Sequence, residues 1–285
     1  MKFVIETRKN AAQIVAARWN LTLQHRVADT KRAIVYKATG SEGPVALKLY
    51  KQLGASGEGA ANTFLRSLEP NVGVRIHRVS TFRTAVLMEW LEGPSLDEIV
   101  ADGADKQATA YLAEVAGAVR RTNFKWPIIY TRVVYKLERD LKSLFKRYPD
   151  PEKDGDLQRV LALQRRLISS TKTECVIHGD LLYQNVILSP NGPRLIDPKG
   201  LRGDPTFEFS RSLAPSVENV AVQDFIACIE HRASVMAASI DASPERVIQW
   251  GAVMFSLALF RRERNAERIQ HMRPYIRAIL DLSDK

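Results

Sequence analysis

The pattern of apolar and polar positions in the first third of the chain reads as one short helix and then mostly strands, and beyond it the spacing is mostly helical. Leu21 to Val27, Ala33 to Ala38 and Pro44 to Tyr50 read as strands, the last two joined by the turn signal Gly40-Ser41-Glu42-Gly43. Before them, Ala11 to Trp19 carries apolar residues at helical spacing. A glycine-rich loop over Gly54 to Gly59 leads into a helix over Asn62 to Leu68, stopped before Pro70. Val72 to Val79 and Arg83 to Trp90 read as two further strands. Successive hairpins imply an antiparallel sheet.

Gly93-Pro94 punctuates the chain, and the pattern changes after it. Ser95 can cap a short helix over Leu96 to Val100. Lys106 to Arg121, Thr131 to Arg147 and Leu157 to Ser169 read as longer amphipathic helices. Residues 176–200 break that rhythm, and helices return from about Phe207 to the end. The expected fold is therefore α+β with two lobes. A small antiparallel β lobe takes residues 1–90, and a larger helical lobe takes 91–285, joined near 89–93.

Composition narrows the class. The chain has 285 residues, 45% apolar and 26% charged, long enough to bury a core without cross-links. Its two cysteines, Cys175 and Cys228, are far apart and form no Cys/His cluster, which argues against a structural zinc site or a disulfide framework. Glu6 and basic residues interrupt the first twenty positions, so they do not read as a secretory leader. Val247 to Phe260 is uncharged but spans only fourteen residues, short of the roughly 20 a membrane span needs. These features predict a cytoplasmic protein without a membrane partner. The net charge of +10 is scattered over helical patterns with acids nearby, and no RNA-binding aromatic motif or basic tail accompanies it. No specific nucleic-acid partner is expected.

The chemistry concentrates in one segment. His178-Gly179-Asp180 follows an apolar pair, Asn185 comes five residues after Asp180, and an apolar strand follows. Asp197 lies twelve residues beyond Asn185, in Leu195-Ile196-Asp197-Pro198-Lys199-Gly200. Phosphoryl transfer needs such a set. One carboxylate must meet an attacking hydroxyl and accept its proton, and hard oxygen ligands must hold Mg²⁺. Asp180 suits the first task; Asn185 and Asp197 suit the second. A hairpin of Val186–Leu188 and Pro193–Ile196, turned by Asn191-Gly192, would set both ligands at its open end. His178 reads as a packing residue that holds the loop.

This arrangement of His-x-Asp, four residues, Asn, then a strand-borne Asp resembles the protein-kinase-like small-molecule kinases, above all the aminoglycoside phosphotransferases. Ile196 to Gly200, Gly203-Asp204-Pro205 and Phe207-Glu208 look most like the streptomycin 6-kinase and hydroxyurea phosphotransferase branch, as does Ala17 to Leu21. The resemblance implies a bilobal protein-kinase-like fold, ATP and Mg²⁺, and a small-molecule hydroxyl acceptor. It makes Lys48, in Val45-Ala46-Leu47-Lys48-Leu49, the lysine that clamps the α- and β-phosphates, and Glu58 the glutamate that pairs with it. It makes Leu87 to Gly93 the hinge, with the Glu89 carbonyl and Leu91 amide facing adenine. No glycine-rich loop covers the phosphates; the turn Ala28 to Arg32, with Thr30 and its backbone amides, takes that position. Asp204 would brace the catalytic loop, and Tyr183, Asp204, Glu208 and Glu218 are candidates for contact with the acceptor. The acceptor is an aminoglycoside, as in antibiotic resistance, or a sugar or other metabolite hydroxyl. A non-catalytic nucleotide-binding pseudokinase is the alternative class. A protein-serine/threonine kinase is disfavoured because Gly203-Asp204-Pro205 follows Asp197 too soon for a peptide-docking platform.

Overall fold

The computed structural model describes residues 11–51, 58–80, 84–125 and 129–285. A helix α1 over residues 11–18 precedes a five-stranded sheet. The strands are β1 (Thr22–Asp29), β2 (Ala33–Gly40), β3 (Gly43–Tyr50), β4 (Ile76–Val79) and β5 (Ala85–Glu89), in the order β1-β2-β3-β5-β4, with every neighbouring pair antiparallel. Gly43 turns the second hairpin with φ of 117°, a conformation open to glycine. The sheet's own core is small: Ala38, Val45, Leu47, Ala85 and Leu87.

Helix α2 (Glu58–Ser67) begins four residues earlier than expected and takes in Glu58 and Gly59 of the expected loop, whose residues 54–57 lie outside the described residues. Its Phe64 and Leu65, with Leu68, Val72 and Val74, join the large core of the helical half rather than the small core of the sheet. Val72 to Arg75 is not strand, contrary to expectation. Its backbone is claimed by another element: Val74 N–H donates to Leu195 O at 2.9 Å and Leu195 N–H to Val72 O at 2.8 Å.

The helical half contains α3 (Leu96–Ala101), α4 (Asp105–Arg121), α5 (Val133–Phe145), α6 (Gly155–Ser170), α7 (Val222–Ser239), α8 (Pro244–Arg262) and α9 (Ala266–Ser283). Ser95 caps α3 in a full capping box with Glu98. Thr131 and Arg132 were expected to open a helix. They form β6 (Thr131–Arg132) instead, because β10 (Leu201–Gly203) pairs with them in parallel and with β7 (Cys175–Ile177) on its other edge. Helix was also expected from about Phe207. A 3₁₀ turn over Pro205–Phe209 stands there, and regular helix resumes only at Val222. The uncharged stretch 247–260 lies in α8, where Val247, Trp250, Val253 and Phe260 are buried. Among the described residues no helix is long and apolar enough to cross a membrane.

The expected hairpin is present as β8 (Val186–Ser189) and β9 (Gly192–Leu195). It is clamped on both sides. Leu195 meets residues 72–74, and Leu188 N–H donates to Pro94 O at 2.8 Å. Gly93, with φ of 130°, passes so close that a Cβ there would lie 2.0 Å from Leu188 O. The hairpin is thereby fixed against the strip that joins the two halves.

Candidate active site

Asp180, Asn185 and Asp197 are locked into one hydrogen-bonded loop. Asn185 donates through Nδ2 to the main-chain O of Asp180 at 2.8 Å, which aims its Oδ1 elsewhere. Ile196 N–H donates to Asn185 O at 2.9 Å, tying the loop to the foot of β9. The His178 ring closes the circuit: Asp180 N–H donates to Nδ1 at 3.3 Å, and Nε2 lies 3.0 Å from Ile196 O. That pattern requires a neutral ring with its proton on Nε2. Burial pushes the His178 pKa down to about 4, the Ile196 carbonyl opposing only in part, so the ring stays neutral near pH 7. His178 is the loop's tie, as expected from sequence.

Beneath the loop lies a group that sequence reasoning assigned otherwise. Glu208 was a candidate for acceptor contact, yet it is buried and accepts from His178 N–H at 2.7 Å and Gly179 N–H at 3.1 Å. Burial pushes its pKa up to about 7 against the pull of those two amides. Gly179, with φ of 75°, permits the approach; a Cβ there would meet Leu201 Cγ at 2.6 Å. Asp204 is also interior. It accepts from Thr206 N–H at 3.0 Å and Arg246 Nε at 2.7 Å. Burial raises its pKa, but Thr206 and Arg246 outweigh that and hold it below the usual carboxylate value. Tyr183 is buried, bonded to Thr109 Oγ1 at 2.8 Å, with the Arg232 guanidinium over its ring. Glu218 is on an exposed loop before α7, 3.8 Å from Arg268. Of these four, Tyr183, Asp204 and Glu208 are buried and Glu218 is exposed. The first three carry the loop and its core.

Lys48 comes from the centre of the sheet, on β3 between Val35 of β2 and Val86 of β5. Its Nζ reaches across to Asp197 Oδ1 at 2.5 Å. Asp197 holds a left-handed backbone, φ 55°, which turns its carboxylate toward the sheet. Burial raises the Asp197 pKa, but the charge and hydrogen bond of Lys48 win, and the carboxyl titrates below its ordinary range. The side chain of Glu58, expected beside Lys48, lies outside the described residues; its backbone opens α2. The hydroxyl of Thr30 serves its own turn, accepting from Arg32 and Ala33 N–H at 3.2 and 3.1 Å. At the hinge, the Glu89 carboxylate accepts from Arg75 N–H and from Arg194 Nη2 of β9, the latter at 2.8 Å. Leu91 N–H has no acceptor among the described residues.

Two residues that the sequence did not single out converge on Asp180. Lys199 Nζ lies 2.6 Å from Oδ2, and the Arg211 guanidinium contacts Oδ1. Lys199 had a signal, two residues past Asp197. Arg211 had none, since it lies in irregular chain and only tertiary packing brings it here.

An antiparallel five-stranded sheet and a helical half, meeting at a lysine, two aspartates and an asparagine, define the protein-kinase-like class. Solved structures share that fold. An aminoglycoside-3'-phosphotransferase of type VIII matches with a TM-score of 0.58 and 18% identity over 87% of this chain and 98% of its own. An amicoumacin kinase, solved with AMP-PNP and Ca²⁺, matches with a TM-score of 0.59 and 13% identity over 99% and 96%. Residues 18–264 match the model of the aminoglycoside/hydroxyurea antibiotic resistance kinases, and the chain belongs to that family. Streptomycin 3''-kinase of Klebsiella pneumoniae is 26% identical over 173 residues, 58% of this chain and 62% of that kinase's length.

Proposed function

We propose that the chain is an ATP- and Mg²⁺-dependent kinase that phosphorylates a hydroxyl of a small molecule. The observation that carries this is the loop circuit. Asp180, Asn185 and Asp197 are held by one set of hydrogen bonds, opposite an ammonium delivered from a separate sheet. Residues 1–90 would supply the nucleotide half, with Lys48 on the phosphates and the Glu89 carbonyl and Leu91 amide at adenine. Residues 91–285 would supply the catalytic loop and the acceptor half.

The Asn185 amide oxygen and the Asp197 carboxylate are hard oxygen donors, and Mg²⁺ prefers one or two such ligands plus phosphate and water. The donor set therefore fits the ion, which when bound neutralises phosphate charge. Asp180 accepts the proton of the acceptor hydroxyl as that oxygen attacks the γ-phosphorus. The bond from γ-phosphorus to the bridging oxygen breaks, and the products are a phosphate monoester, ADP and a proton. Positioning and charge neutralisation carry most of the rate.

A small acceptor follows from the chain after Asp197. Protein kinases use that stretch as a peptide platform; here it enters β10 at Leu201, with partners on both edges. A cytoplasmic location goes with ATP as the donor.

Asp180→Ala should lower acceptor-dependent ADP release by roughly 10²- to 10⁴-fold, the worth of a general base, while AMP-PNP binding by calorimetry survives. Near wild-type turnover in that variant would refute the mechanism. Nucleotide binding without turnover of any hydroxyl compound by the wild type would instead favour the pseudokinase alternative. Chelating the divalent ion should abolish transfer, and Mg²⁺ should restore it.

A further inference from the structure

Asp180 and Asp197 bracket the path of the transferred group. In the phosphotransferase reading above, the acceptor hydroxyl meets Asp180, and the nucleotide phosphates meet Asp197 and Lys48. The γ-phosphorus therefore crosses from the Asp197 side to the Asp180 side, with negative charge spread over its oxygens. Carboxylates beside an anion repel it unless cations stand with them. Lys48, together with the ion that Asn185 and Asp197 fit, answers for the nucleotide side. The catalytic loop itself offers no cation on the acceptor side, for Leu181, Leu182, Tyr183 and Gln184 separate Asp180 from Asn185.

Lys199 comes from outside that loop and faces both carboxylates. Its Nζ lies 2.6 Å from Asp180 Oδ2. Its charge also reaches Asp197: burial raises that carboxyl's pKa, Lys48 lowers it most strongly, and Lys199 lowers it further. The position is built into the fold. Lys199 N–H and Gly200 N–H donate to His178 O at 2.9 and 3.1 Å. Gly200, with φ of 59°, packs on the first turn of α2, where a Cβ would come 3.0 Å from Ala60 O. The chain then enters β10 at Leu201, paired on both edges. The backbone that carries Lys199 is thus held on every side, while its side chain stays 30% exposed.

Arg211 touches the other oxygen of Asp180. A carboxylate has about four lone-pair sites, so both cations and an acceptor hydroxyl can share it, whatever charge the acceptor carries elsewhere. Of the two cations, Lys199 is the one that also faces Asp197, and so the one placed to meet a group passing between the carboxylates.

We propose that Lys199 is a further catalytic residue, whose ammonium contacts the γ-phosphoryl oxygens and offsets their charge during transfer. This rests on the phosphotransferase reading. The γ-phosphorus leaves the bridging oxygen and bonds the acceptor oxygen, and the hydroxyl proton goes to Asp180. Lys199 stays an ammonium throughout, donating hydrogen bonds and giving up no proton. Such a donor, fixed in advance where charge moves, costs no reorganisation at the moment of reaction.

The test uses full-length protein with Mg²⁺ and a pair of probes that differ at the γ-phosphate, AMP-PNP and ADP. In calorimetry, Lys199→Met should weaken AMP-PNP by roughly 10- to 100-fold, the worth of a hydrogen bond to a charged group, and leave ADP within about threefold of wild type. Lys199→Arg, which keeps the charge, should bind AMP-PNP more tightly than Lys199→Met does. A brace for Asp180 alone would not tell the two nucleotides apart. A second measurement needs no variant. Wild-type protein saturated with either nucleotide is treated with an amine-acetylating reagent, and the peptide carrying Lys199 is read by mass spectrometry. AMP-PNP should protect Lys199, and ADP should not. Unchanged AMP-PNP affinity in Lys199→Met, or equal loss of AMP-PNP and ADP, overturns the proposal. So does equal labelling of Lys199 with either nucleotide bound. A wild type that binds neither AMP-PNP nor ADP would instead refute the kinase reading.

Discussion

Glu208 and His178 occupy the same buried nest and strain the pH dependence of folding in opposite directions. The Glu208 pKa is raised to about 7 in the fold from an ordinary 4.5. Between those values the unfolded chain has released a proton that the folded chain keeps, so stability falls as pH rises. His178, lowered to about 4 from 6.5, behaves oppositely: the unfolded chain binds the extra proton, and stability rises with pH across that window. The two slopes oppose between about 4.5 and 6.5, so wild-type melting alone hides them. Glu208→Gln should unmask the glutamate. The wild-type-minus-variant stability difference, from urea titrations, should fall by roughly 3 kcal/mol between pH 4.5 and 7, then level off. A flat difference curve would mean that Glu208 is ionised throughout. Lys48 belongs to the same scale. Lys48→Met removes the ammonium from Asp197, and nucleotide KM should rise while acceptor KM stays near wild type.

Among the elements, the hairpin β8–β9 does the positioning. Asn185 stands just before its first strand and Asp197 just after its second, so the clamps on the hairpin fix both. Arg194, buried on β9, donates to Gly73 O at 2.7 Å as well as to Glu89. The Glu89 side chain and the loop of Asp180 and Asn185 therefore share one support. Gly93 leaves no room for a side chain beside that support. Gly93→Ala would need a Cβ 2.0 Å from Leu188 O at a φ that L-residues disfavour. Chemical denaturation should show a loss of about 3 kcal/mol or more, in the upper range for single substitutions, with reduced kcat if the hairpin shifts. Gly192→Ala makes a useful contrast: φ is 101° but nothing stands within 4 Å of its Cβ position, so only backbone strain should register, about 1 kcal/mol.

For the whole molecule, the net charge of +10 favours approach by anions. AMP-PNP with Mg²⁺ should raise the melting temperature. At a hundredfold excess over Kd the gain is about 2.7 kcal/mol, or roughly 5 °C or more for a chain of this size. Binding to duplex DNA should be weak and collapse as salt rises, because scattered charge supplies only the counterion term. Salt-resistant, sequence-selective retention in a filter assay would contradict that.

The linear chain determined the components here. Strand-like runs between turn signals marked the sheet, amphipathic spacing marked the helices, and the spacing of Asp180, Asn185 and Asp197 marked the candidate site, because each is a local pattern with a local physical cause. Tertiary structure decided which groups meet. Thr131 and Arg132 became strand because β10 lies beside them, and Val72 to Val74 gave their hydrogen bonds to β9. Glu208 turned inward beneath the loop although it lies close to the motif in sequence. Arg211, thirty-one residues past Asp180 and outside any regular element, arrived at its carboxylate. Contacts of that kind depend on where distant backbone is held by packing, and no local pattern of residues encodes them.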